Sequence, residues 1–124
     1  MTRKEAQEEM IKKLEAGVKY ETAGHTIICA KAFPKSDNFG GSREAYARSA
    51  AQQAILAWRN NSLDAAKELH EAVLPGWDYG YDGSIAWVQR PGLGSIYRHD
   101  DMNGYTSRAW LIAILKALHA QEDD

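Results

Sequence analysis

Four histidines, one cysteine and a scatter of carboxylates are the side chains of this 124-residue sequence that could bind a metal or move protons. The densest grouping is His99-Asp100-Asp101, where three ligand-type side chains stand together at the end of a predicted strand. Its alternative reading is a solvated turn that carries two acids. The other histidines lack the necessary spacing. His70-Glu71 would need a second histidine four positions after the first, and Leu74 stands there. His25 has no neighbouring ligand. Cys29 lies among Ile27, Ile28 and Ala30, a setting for a buried thiol rather than a nucleophile. As the sole cysteine it cannot close an intramolecular disulfide, and it suits a reducing compartment. No serine stands in a Gly-x-Ser-x-Gly context. Gly92-Leu93-Gly94 begins like a dinucleotide fingerprint, but the third glycine is missing and a strand follows where a helix N-terminus is needed. Asp78, Asp82, Asp100 and Asp101 form an acid–base pair only if the fold brings two of them together. The sequence therefore leans against an enzyme, and no cofactor or metal is expected. Small-molecule or metal-dependent chemistry at His99, Asp100 and Asp101 remains the alternative.

Aromatic residues are a second kind of candidate. Trp77, Tyr79, Tyr81, Trp87 and Tyr97 all fall on predicted strands, with Arg90, Arg98 and His99 close in sequence. Aromatic and arginine side chains on one sheet face can stack nucleic-acid bases. Aromatics also simply favour strands, where one face packs on helices. Trp77, Tyr79 and Tyr81 share a face by alternation, so that face is either core or an exposed binding surface. The candidate binding set is Trp77, Tyr79, Tyr81, Arg90, Arg98 and His99. A protein partner, or a second copy in a homodimer, is favoured over nucleic acid, because the net charge is −2.

The elements that position these residues can be read from periodicity. Thr2 and Glu5 form a capping box that starts a charged helix to about Ala16, with Gly17 as its stop. Glu8 with Lys12 and Glu9 with Lys13 are i,i+4 pairs, worth ~0.3 kcal/mol each. Residues 20–33 read as a helix ending before Pro34, with a short buried strand as the alternative. Pro34 to Ser42 is loop, followed by an alanine-striped helix to about Trp58. Ser62 caps the next helix. There the apolar period changes. Leu63, Ala66, Leu69 and Val73 recur at helical spacing, whereas Trp77, Tyr79 and Tyr81 alternate. A helix must hand over to a strand at Leu74-Pro75-Gly76. Asp82-Gly83 is a hairpin signal, and strands over 77–81, 84–90 and 95–99 make an antiparallel meander. Ile85 and Trp87 share one face of the second strand, Ala86 and Val88 the other. Thr106 or Ser107 caps a last helix to about His119 that is apolar nearly all round. Such a helix is either sandwiched between sheet and helices or forms a subunit interface.

A hydrophobic content of 44% and a charged content of 26% are ordinary for a soluble domain. The sequence thus predicts a single α+β domain over residues 1–124, with residues 119–124 as a frayed tail. N-terminal helices precede a three-stranded antiparallel sheet, and the C-terminal helix packs on it. The charged start holds no apolar signal core, and the longest apolar run, Ala109 to Leu115, falls short of the roughly 20 residues a membrane span needs. A cytoplasmic location without membrane attachment is the expectation.

Three segments carry a family resemblance: Ser62-Leu63-Asp64-Ala65-Ala66, then Val73-Leu74-Pro75-Gly76-Trp77, then Arg108 through Leu118. Across about residues 62–120 the chain resembles the phage ABA-sandwich domain family of phage and prophage proteins. The resemblance implies a capped helix, a Pro-Gly turn into an aromatic strand, a short sheet and an apolar closing helix. It implies no activity. The expectation is a small phage or prophage protein, non-enzymatic, that binds a protein partner or itself. A nucleic-acid accessory role is the alternative.

Overall fold

The computed structural model describes residues 2–17, 32–33, 54–56, 58–92 and 94–121. Cys29, His25, nearly all of 20–33 and most of the alanine-striped helix lie outside them. Helix α1 spans Arg3–Glu15. Its capping box forms as expected: the Glu5 amide donates to Thr2 Oγ1 at 3.1 Å, and the Thr2 amide donates to Glu5 Oε1 at 2.9 Å. Gly17 closes the helix at φ +73°, a left-handed conformation that glycine adopts without strain. Of the two expected ion pairs on this helix, Glu9–Lys13 forms at 3.6 Å. Glu8 instead reaches His119 Nε2 at 2.9 Å, far along the chain.

A single 3-10 turn at Trp58–Asn60 precedes helix α2, Leu63–Val73. Ser62 caps α2, accepting from the Ala65 amide at 3.3 Å. Pro75 and Gly76 then turn the chain into strand β1, Asp78–Asp82, and strands β2, Ile85–Gln89, and β3, Ile96–Asp100, follow. The strand order is β1-β2-β3, antiparallel throughout. The first turn sits one residue later than the sequence signal suggests. Asp82 pairs with Ile85, so Gly83 and Ser84 are the loop. Gly83 has φ +60°, as a type II′ hairpin requires at its first loop position.

Helix α3, Thr106–Gln121, closes the fold. It runs two residues beyond the expected His119 end, so residues 119–121 are helix rather than tail. Every residue from Thr106 to Leu115 is buried. The cause is position: α3 packs on all three strands, on α1, on α2 and on the 3-10 turn. Apart from strand pairing, each sizeable contact between described elements involves α3. The all-round apolar pattern therefore reflects a helix sandwiched between sheet and helices. Fully burying Leu111, Ile112, Ile114 and Leu115 stabilises the fold by about 1.5–3 kcal/mol each. Met10 and Leu14 of α1, Leu69 of α2, Phe33, and Trp58 against the start of α3 complete the core. The α+β class, the antiparallel sheet and the C-terminal helix on that sheet are as read from the sequence. Among the described residues no helix is long and apolar enough to cross a membrane.

Candidate functional site

The pairing register sorts the candidate residues onto two faces. Tyr79 and Tyr97 flank Val88, and Tyr81 and His99 flank Ala86. Val88 and Ala86 are fully buried, so this inner face lies under α3. The three-tyrosine face is core at its centre and solvated at its rim. Trp110 of α3 stacks on Tyr79 at 4.7 Å between ring centroids and tilts over Tyr81 at 5.7 Å. Trp77, just before β1, lies 6.4 Å from Tyr97 on the same side. Tyr79 and Tyr81 remain 39% and 46% exposed, because β1 is the edge strand that α3 overhangs least.

His70 ties this arrangement together. The residue is 2% exposed. The Trp110 indole, which can only donate, donates to His70 Nδ1 at 3.3 Å. The proton must then sit on Nε2, which donates to the Trp77 carbonyl at 3.0 Å. One neutral imidazole thus joins α2, the entry to β1 and α3. Burial is the largest influence on its pKa and depresses it, because a charged ring would lose its hydration. The sequence discounted His70 as a metal ligand; its structural role depends on a partner 40 positions away.

His99, Asp100 and Asp101 border one small hollow of about 140 Å³, beside Glu15 and Arg108, but their side chains are committed to different partners. Strand alternation turns His99 inward and Asp100 outward, and Ser84 Oγ donates to Asp100 Oδ1 at 2.7 Å. His99 Nδ1 accepts from Lys116 Nζ at 3.1 Å, and the same ammonium donates to the Arg98 carbonyl. Burial first, then the Lys116 cation, hold the His99 pKa below its ordinary value. Asp101 is 3% exposed and is engaged by Arg108 of α3 through both carboxylate oxygens. The Asn103 amide also donates to it at 2.8 Å. Burial pushes the Asp101 carboxyl up, but these hydrogen bonds and the Arg108 charge outweigh it and hold the pKa low. Arg108 further donates to the Leu14 carbonyl at 3.1 Å and lies 4.4 Å over the Trp58 ring. Asp101 is therefore an anchor for α3, with its oxygens already occupied. Among the described residues no three His, Cys, Asp or Glu side chains converge as metal ligands.

The outer face carries the remaining candidates and several residues that the sequence did not single out. Its side chains form a three-by-three lattice fixed by the register. One row is Asp82, Ile85, Asp100; the next is Gly80, Trp87, Arg98; the third is Asp78, Gln89, Ile96. Trp87 lies across β1, where an ideal Cβ at Gly80 would fall 2.2 Å from its ring, so only glycine admits it. Ile85, Trp87 and Ile96, bordered by Asp82 and Arg98, line a shallow groove of about 500 Å³. Ile96 is 56% exposed. Arg98 thus belongs to the face opposite Trp77, Tyr79, Tyr81 and His99, and Arg90 is exposed just beyond β2. The six expected binding residues do not form one surface. The signal for this outer site was the alternation Ile85-Trp87-Gln89, readable as a face but not as an open one. Compared with protein-family models, curated proteins and solved structures, the chain matches none.

Proposed function

We propose that the chain is a non-enzymatic module that binds another protein, or itself, through the outer face of its sheet. The observation that carries this reading is the apolar strip Ile85-Trp87-Ile96 facing solvent on a sheet whose inner face is covered at its centre by α3. A contiguous apolar surface rimmed by charge is the usual mark of a protein-binding site. The resemblance of residues 62–120 to the phage ABA-sandwich family, which carries no activity, supports a phage or prophage role of this non-catalytic kind. The engagement of Asp101 by Arg108, of Asp100 by Ser84 and of His99 by Lys116 weighs against an enzyme centred there.

Site-specific photo-crosslinking in cells tests the reading. A crosslinker in place of Ile96 should give one defined protein adduct, either with a second copy or with another chain. The same group in place of Lys67, exposed on α2, should give none. Adducts at position 67 alone, or identical adducts at both, would overturn it.

A further inference from the structure

The charges around the groove select what can occupy it. Three of the four corners of the outer lattice are aspartates: Asp78, Asp82 and Asp100. Arg98 is the one cation among the nine lattice residues, so the face carries three carboxylates against one guanidinium. Two copies stacked face to face would gather six carboxylates against two guanidiniums, an arrangement that like-charge repulsion opposes. A nucleic-acid backbone would meet the same repulsion.

We infer that the occupant is a basic protein segment: an extended stretch whose apolar side chain enters the groove and whose lysine or arginine side chains, two residues to either side, meet the aspartates. This inference rests on the protein-binding reading above. Its geometry follows from strand dimensions. Asp78 and Asp82 are four residues apart on β1, about 13 Å at strand rise. Residues i−2 and i+2 of an extended segment are separated by the same distance and point the same way. Between the two aspartates lies Gly80, covered by the Trp87 indole, so residue i of such a segment lands on an aromatic ring. Both aspartates are exposed.

The probe is the capped peptide Ser-Lys-Thr-Leu-Thr-Lys-Ser, titrated into the isotope-labelled full chain and followed by amide and indole NMR shifts. The matched control replaces both lysines with glutamate. The expected result is that the lysine peptide shifts the Trp87 indole and the amides of Gly80 and Ile96. Affinity should weaken about tenfold in the Asp78→Asn/Asp82→Asn variant and fall with added salt, as exposed charge pairs do. Neither substitution removes a buried contact, so the variant's unshifted spectrum elsewhere reports retained folding. Equal shifts from the glutamate peptide would overturn the basic-segment inference while leaving the protein-binding reading standing. So would concentration-dependent shifts of the same residues with no peptide, which indicate a second copy. Shifts from oligothymidylate at low salt would replace both readings with nucleic acid. No shift from any probe overturns the basic segment, and the crosslinking experiment separately decides the parent reading.

Discussion

His70 shows how much one neutral side chain can organise. Its folded pKa lies below its ordinary value of 6.5, so the folded state binds fewer protons than the unfolded chain. Its contribution is fully present above pH 6.5 and is lost as pH falls through that value towards the folded pKa. His99 is shifted the same way and adds to the same slope. The urea midpoint should therefore drop between pH 7 and pH 5, and a His70→Asn variant, which cannot titrate there, should show a shallower drop. Replacement by alanine leaves the Trp110 indole N–H without its acceptor, at a cost of about 1–3 kcal/mol. Gly80 carries a second prediction at this scale, on the outer face. Gly80→Ala drives a methyl into the Trp87 ring and should cost about 1–3 kcal/mol, with a changed tryptophan near-UV dichroism signal.

At the scale of elements, α3 is held at its start by groups distant in sequence. The Ser107 amide donates to Asn61 Oδ1 at 2.9 Å, and Ser107 Oγ donates to the Trp58 carbonyl at 3.1 Å. Asn61 itself has φ +52°, a conformation asparagine tolerates better than most residues. Asn61→Gly keeps that backbone and removes the acceptor; Asn61→Ala removes the acceptor and adds strain. Thermal unfolding should rank wild type above glycine and glycine above alanine, the last lower by about 1–2 kcal/mol. The Asp101–Arg108 pair is the stronger anchor. Asp101→Asn leaves the buried guanidinium uncompensated and should destabilise by about 3–5 kcal/mol in denaturant unfolding. Because the Asp101 pKa is lowered, its contribution is present above the ordinary carboxylate range and is lost as pH falls through the folded value.

The same elements show what the sequence could convey. Thr2-Glu5, Ser62 and Pro75-Gly76 act on neighbours within a few positions, so their effects were legible locally. The sandwiching of α3 was legible as one of two options, because only a helix covered on several sides is apolar all round. The cap from Asn61 and the His70 bridge to Trp110 were not legible, because they join residues 46 and 40 positions apart that meet only after the sheet and helices have packed. Asp101 and Arg108 stand only seven positions apart, but nothing in that spacing distinguishes a buried pair from two solvated charges. The candidate site was half legible: alternation assigns side chains to faces, but which face α3 covers depends on the tertiary arrangement.

For the whole molecule, the two sheet faces divide the labour. The inner face holds the fold, so Leu115→Ala in α3 should cost about 2–5 kcal/mol. The outer face should tolerate Ile96→Glu with a melting temperature within a degree or two of wild type, since Ile96 is 56% exposed. A large loss of stability in that variant would mean the outer face is part of the core.

The central position of α3 also sets an order of events. It is the last described element along the chain, yet it contacts every other. Arg108 meets Leu14 across 94 positions and His119 meets Glu8 across 111. Contacts of such long reach slow folding, since loop closure precedes the gain. During vectorial synthesis the meander emerges with Ala86 and Val88 not yet covered by α3, and α1 waits for the helix it packs on. In nascent chains stalled before Thr106, α1 and the three strands should therefore be more protease-sensitive than in the full chain, with protection of both appearing together once α3 is free to dock.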